Sequence, residues 1–166
     1  MQERTRQLWE KQDQHVGDRH RLFTAIADAL DVATVLYPGS YVDLAPSFVW
    51  PSVTYVDIDR RAGQFFRDES GVQQLLVGHD AAPATHVVRF IEADYTDPLD
   101  LHDGEFDLLI SLYAGFVSEA CTRYLRIGGT LLVNPSHGDT KDYLHKSNRG
   151  VAYTTSPFAY LFERVA

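Results

Sequence analysis

A single cysteine, Cys121, stands in the 166-residue chain, which excludes an internal disulfide and any multi-cysteine metal site. It falls in a stretch of helical periodicity, where a buried, inert thiol is expected. Long apolar runs are missing as well. No stretch reaches the 18 residues of a membrane span, and no charged-then-apolar signal opens the chain, so a soluble, cytoplasmic protein without a membrane partner is expected. Positive charge is scarce. Fifteen Lys and Arg face 23 Asp and Glu for a net charge of -8, and no basic cluster is denser than Arg60-Arg61, which argues against a nucleic-acid partner. Metal-ligand spacing is absent. His15, His20, His137 and Asp139 form no recognised motif, and His15 and His20 are five apart, off a single helical face, so no metal site is expected. There is no repeat, low-complexity tract or linker, and the length predicts one domain over 1–166, able to bury about two thirds of its unfolded surface.

What is present is an alternation. Residues 5 to 30 predict a helical N-terminal segment whose halves differ: 10 to 21 are mostly polar, while Leu22, Phe23, Ile26, Ala27 and Leu30 recur at helical spacing, with Gly17 as a break between them. Short apolar runs follow at "ATVLY" (33 to 37), "SVTYVDI" (52 to 58), "THVVRFI" (85 to 91), "FDLLISL" (106 to 112) and "GTLLVN" (129 to 134). Helices are predicted between the second and third runs and over "AGFVSEACTRYLRIG", closed by Gly128-Gly129. Runs apolar on both faces suit a parallel sheet covered by helices. After a short helix predicted at 139 to 147, "GVAYTT" and "FAYLFERV" are separated only by "SP", and are expected to pair as an antiparallel hairpin.

In this order and spacing, residues 33 to 166 resemble a class I S-adenosylmethionine-dependent methyltransferase. The resemblance implies an α/β, Rossmann-like three-layer sandwich: a mostly parallel, seven-stranded sheet whose last strand is antiparallel. It also implies S-adenosylmethionine as cofactor.

Ligands of open α/β sheets bind beyond the carboxyl ends of the strands, so the site is sought there. After the first run stands "YPGSYVD". Where the family has an acid followed by three alternating glycines, Tyr37 replaces the acid, Gly39 matches the first glycine, and Tyr41 and Asp43 occupy the other two places. Gly39 is expected to keep the first tight turn, and Asp43 or Ser40 to bond the polar end of the ligand, with Pro38 and Pro46 stiffening the loop. Asp57 matches the family's ribose-binding acid. Asp59 belongs to the same set, although it is also the better placed of the two to cap the helix at Arg60. Asp94 stands where the family contacts the adenine amino group, and Tyr95 follows where a ring stacks on the base, though Asp-Tyr-Thr-Asp-Pro is turn chemistry in any protein. Ser111 and Tyr113 fall in the segment that resembles the lining of the donor methyl. His137, followed by Asp139, is the candidate base, so that Tyr113 and His137 make up the catalytic pair.

The altered loop leaves two functions open. One is methyl transfer to a small-molecule acceptor, since a sulfonium needs little from the protein beyond alignment and water exclusion. The other is a binding or scaffolding module that keeps the fold alone. An open cleft between Gly39 and Asp57 favours the first; Tyr37 and Tyr41 packed into it favour the second. A dinucleotide dehydrogenase is excluded, because G-x-G-x-x-G is missing. Residues 5 to 21 are expected to form a lid, with Trp9 and His15 facing the ligand. A sheet edge or the N-terminal helix offers a surface for a homodimer.

Overall fold

The computed structural model describes residues 1–13, 16–80, 82–112, 114–134 and 159–165. Two helices, α1 (Glu3–Asp13) and α2 (Val16–Ala29), precede strand β1 (Thr34–Pro38). A short 3-10 turn (Ala45–Phe48) and β2 (Ser52–Asp57) follow, then α3 (Arg60–Arg67), α4 (Glu69–Val77), β3 (Val87–Glu92) and β4 (Phe106–Ser111). Helix α5 (Val117–Cys121), a second 3-10 turn (Thr122–Tyr124), β5 (Leu125–Val133) and β6 (Tyr160–Glu163) complete the described chain.

The described strands form one six-stranded sheet in the order β3-β2-β1-β4-β5-β6. β1 to β5 are parallel and β6 runs antiparallel against β5. The expected strand "GVAYTT" and the helix at 139 to 147 lie outside the described residues.

Alternation along the strands builds two cores. Val35, Tyr37, Val53, Tyr55, Leu108 and Ile110 face the layer of α1 to α4, whereas Leu36, Val56, Leu109, Leu131 and Val133 face α5 and the loops around it. A sheet covered on both faces is what apolar runs of period one require. Cys121 is fully buried in the second core.

Three local expectations are corrected. The N-terminal segment is two docked helices, with Gly17 inside the first turn of α2 and not at the break. Thr5 and Leu8 of α1 are buried, and Trp9 packs edge-on against Phe48 (5.9 Å) and stacks on Phe65 (6.5 Å). Trp9 is therefore a partly buried core contact; His15 lies outside the described residues. The long helix expected after β2 breaks at Asp68, whose carboxylate caps α4 through the Gly71 amide (3.1 Å) and also accepts from the Gln2 amide of the N-terminal segment (2.6 Å). Finally, Gly128-Gly129 do not stop a helix but lie inside β5. The register against β4 shifts there, and a Cβ on Gly129 would come within 2.8 Å of the Arg126 carbonyl and the Leu125 side chain.

The crossover from β1 to β2, residues 39–51, contains no α-helix. Its 3-10 turn is buried and α2 packs against it, so the layer above β1 comes from the helices that precede the strand. No described helix is long and apolar enough to cross a membrane.

Candidate functional site

At the carboxyl edge the chain leaves β1 in a tight turn. Gly39 has φ +65 and its amide still donates to the Val56 carbonyl at 2.8 Å, extending the β1-β2 pairing by one residue. Tyr41 also sits in the left-handed region, at φ 52. Two of the three glycine places of the resemblance thus retain glycine-like or left-handed backbone, one of them with an aromatic side chain that costs about 1–2 kcal/mol in that conformation.

Asp57 holds this loop in place. Its Oδ2 accepts from the Tyr41 amide at 2.7 Å and its Oδ1 from the Asp59 amide at 2.8 Å. The carboxylate thereby joins the loop after β1 to the turn into α3. Asp59 acts as the helix cap: it accepts from the Arg61 amide (2.7 Å) and pairs with the Arg61 guanidinium (2.6 Å), which keep its carboxyl below the usual range. The same guanidinium lies 5.1 Å over the Tyr41 ring, a contact of the cation-π type.

Tyr37, in the place of the acid of the resemblance, lies in the core. It is 1% exposed, and its hydroxyl donates to Asp43 Oδ2 at 3.1 Å. Asp43 is fully buried, pairs with Arg19 of α2 at 2.6 Å, and accepts from the Ala45 amide at 3.2 Å. Burial pushes the Asp43 carboxyl up against the opposing pull of Arg19, and pushes the Tyr37 phenol well up, with the Asp43 charge adding to it. Ser40 is buried too, its hydroxyl directed at the Tyr41 carbonyl at 3.5 Å.

Asp94 closes its own turn, accepting from the Thr96 amide (2.9 Å) and hydroxyl (2.7 Å), which hold its carboxyl below its ordinary range. Tyr95 is half-buried and donates to the Gly115 carbonyl at 2.8 Å. Its ring edge and Ala114 both crowd Gly39: a Cβ built there would lie 3.5 Å from Tyr95 Cε1 and 2.5 Å from Ala114 Cβ. Gly39, Tyr95 and Ala114, from the ends of three strands, therefore meet. Ser111 ends β4 and is buried. Tyr113 and His137 lie outside the described residues. Among the described residues no group of three or more His, Cys, Asp or Glu is placed to hold a metal ion.

One residue at this edge was not singled out in the sequence. Ile58, between Asp57 and Asp59, is 66% exposed. An apolar residue one step past a strand end, between two acids, is the signal that marks it, since the sheet no longer covers that position.

The architecture has solved counterparts. A protein from Corynebacterium glutamicum superposes with a TM-score of 0.60 at 13% identity, over 100% of this chain and 91% of its own. A ribosomal protein L11 methylase from Lactobacillus delbrueckii subsp. bulgaricus gives 0.58 at 11% identity, over 89% and 77%. A S-adenosylmethionine-dependent methyltransferase from Methanosarcina mazei gives 0.50 at 15% identity, over 85% and 77%. The chain has the class I methyltransferase fold. No family model matches it, and no curated protein matches it. Within the methyltransferase fold, the chain departs from the pattern of the resemblance where Tyr37, Tyr41 and Asp43 replace the acid and two glycines. Two of these replacements, Tyr37 and Asp43, are bonded to each other inside the core.

Proposed function

We propose that this chain is a S-adenosylmethionine-dependent methyltransferase acting on a small-molecule acceptor. The observation that carries the reading is the bond from the Tyr41 amide to Asp57 at 2.7 Å. It keeps an acid at the end of β2 against a loop whose backbone stays left-handed at both Gly39 and Tyr41.

The residues fit the adenosine half of that cofactor. Each Asp57 oxygen accepts one backbone amide, and a carboxylate offers about four acceptor sites, so capacity remains for two ribose hydroxyls. Exposed Ile58 offers an apolar surface and Tyr95 a ring for the base, with Asp94 the acceptor at its edge. When bound, the cofactor supplies an activated methyl group. The protein's part is alignment and exclusion of water, with His137 the candidate for taking the acceptor's proton and Tyr113 for positioning it. For the methionine half the fit is tighter, because Ala114 stands against Gly39.

That contact favours a second reading, a non-catalytic binding module whose glycine cradle is filled. Calorimetric titration with S-adenosylmethionine and S-adenosylhomocysteine separates the two. Micromolar binding, lost in Asp94→Asn and in an Asp57→Asn variant shown to remain folded, supports the methyltransferase. Absence of heat and of any thermal shift supports the module.

A further inference from the structure

Residues 114–116 lie at the centre of the candidate site and have an unusual local structure. Ala114 presses on the one glycine of the β1 loop, as the 2.5 Å approach of a Cβ built on Gly39 shows. Phe116 is in the left-handed region (φ 56), where a residue with a side chain is strained, and it is 57% exposed. It opens α5 without a side-chain cap. Gly115, between them, has open space around the position of a Cβ. Few packing contacts therefore hold this segment down at Gly115 and Phe116, while one hydrogen bond from another strand end does: Tyr95 Oη to the Gly115 carbonyl, 2.8 Å. The backbone on the Tyr95 side is fixed in turn, since its carbonyl accepts from buried Cys121 Sγ at 3.6 Å.

We infer that residues 114–116 are a plug over the Gly39 turn, latched by the Tyr95 hydroxyl, and that the plug lifts before the amino-acid end of a cofactor reaches that backbone. The inference rests on the proposed cofactor for its ligand but on the geometry of Gly39, Tyr95 and residues 114–116 for the plug itself. Tyr95 then has two separable parts. The ring is the surface for the base, and the hydroxyl is the latch. Strain at Phe116 favours release, so the closed form is held by a small margin, and the apparent affinity is the intrinsic affinity reduced by the fraction of open protein.

Tyr95→Phe keeps the ring and deletes the latch. Its rate of association with S-adenosylmethionine, by stopped flow, is expected to rise roughly 2- to 10-fold, the factor that one net hydrogen bond represents. Amide exchange at residues 115–117 of the ligand-free protein is expected to rise with it. Ala114→Gly removes the contact on Gly39 without touching the latch, and is expected to speed association also; it carries the test if Tyr95→Phe does not fold. Equal association rates in wild type and both variants overturn the plug. If neither wild type nor variant binds, the cofactor reading fails and exchange alone decides: faster exchange in Tyr95→Phe upholds the latch, and unchanged exchange overturns it.

Discussion

Asp57 and Tyr41, 16 residues apart, are joined by a 2.7 Å bond from the Tyr41 amide to the Asp57 carboxylate. With the second bond, from the Asp59 amide, the acid is a structural tie whatever ligand it also meets. Asp57→Ala is expected to lower stability in urea by about 2–4 kcal/mol, the range for two hydrogen bonds to a charged group after partial replacement by water. Asp57→Asn, which keeps one acceptor oxygen, should lose less. A loss below about 1 kcal/mol in the alanine variant would show that the loop holds its shape without the acid.

Arg19 and Asp43 form a buried pair at 2.6 Å. Breaking one side of such a pair leaves a charge without compensation, so Arg19→Met should cost about 3–5 kcal/mol. The double variant Arg19→Met with Asp43→Asn should recover part of that loss, and the double-mutant cycle measures the coupling. The pH dependence has a definite sign. Burial raises the Asp43 carboxyl, so the folded state binds the proton more tightly than the unfolded one and gains stability as pH falls. The Arg19→Met deficit should shrink from pH 7 to pH 5; a deficit that grows on acidification contradicts the arrangement.

Two carboxyls have pKa values lowered to about 2. At Asp68 the Gln2 amide is the main cause, followed by the Thr5 hydroxyl. At Asp107 burial acts upward but is outweighed by Arg126 and the Thr34 and Ala33 amides. Such groups contribute stability above their unfolded pKa near 3.9, and lose it as pH falls through the folded value. The melting temperature should therefore drop between about pH 4 and pH 2, with a shallower slope in Asp68→Asn and in Asp107→Asn. Because Asp68 also holds the start of the N-terminal segment, Asp68→Ala should shift tryptophan emission to the red as Trp9 leaves Phe48 and Phe65.

Gly39→Ala meets both a left-handed backbone and the Ala114 side chain. The expected destabilisation is about 2–5 kcal/mol, combining about 1–2 for conformation with about 1–3 for overpacking. Adding Ala114→Gly should return only the overpacking share, by thermal or urea unfolding. Full recovery would show that the φ of residue 39 carries no strain.

The strand ends were legible in the sequence because apolar runs covered on both faces mark a parallel sheet, and such sheets put their sites at one edge. Asp57 and the turn at Asp94 followed from that. The place of Tyr37 was not read from its position in the glycine motif. Its period-two partner Val35 was the better guide, since both side chains enter the same core. The pairing of Arg19 with Asp43 and of Gln2 with Asp68 joins residues 24 and 66 apart, a relationship that no local pattern carries. The polar composition of α1 likewise concealed buried Thr5 and Leu8 and the core packing of partly buried Trp9, which together dock the helix. Gly128-Gly129 carries the same signal for a helix stop and for a strand irregularity, and the register of β4 against β5 decides between them.

The helix-free passage from β1 to β2 has a consequence for the order of assembly. Because α1 and α2 cover β1 from the amino-terminal side, Phe23 and Ile26 emerge before the strands in synthesis yet find their partners only when the strands exist. The sheet itself closes through Thr34 and Asp107, 73 residues apart. Helices made before the strands therefore complete their core contacts only after them, and pairings this distant in sequence slow folding.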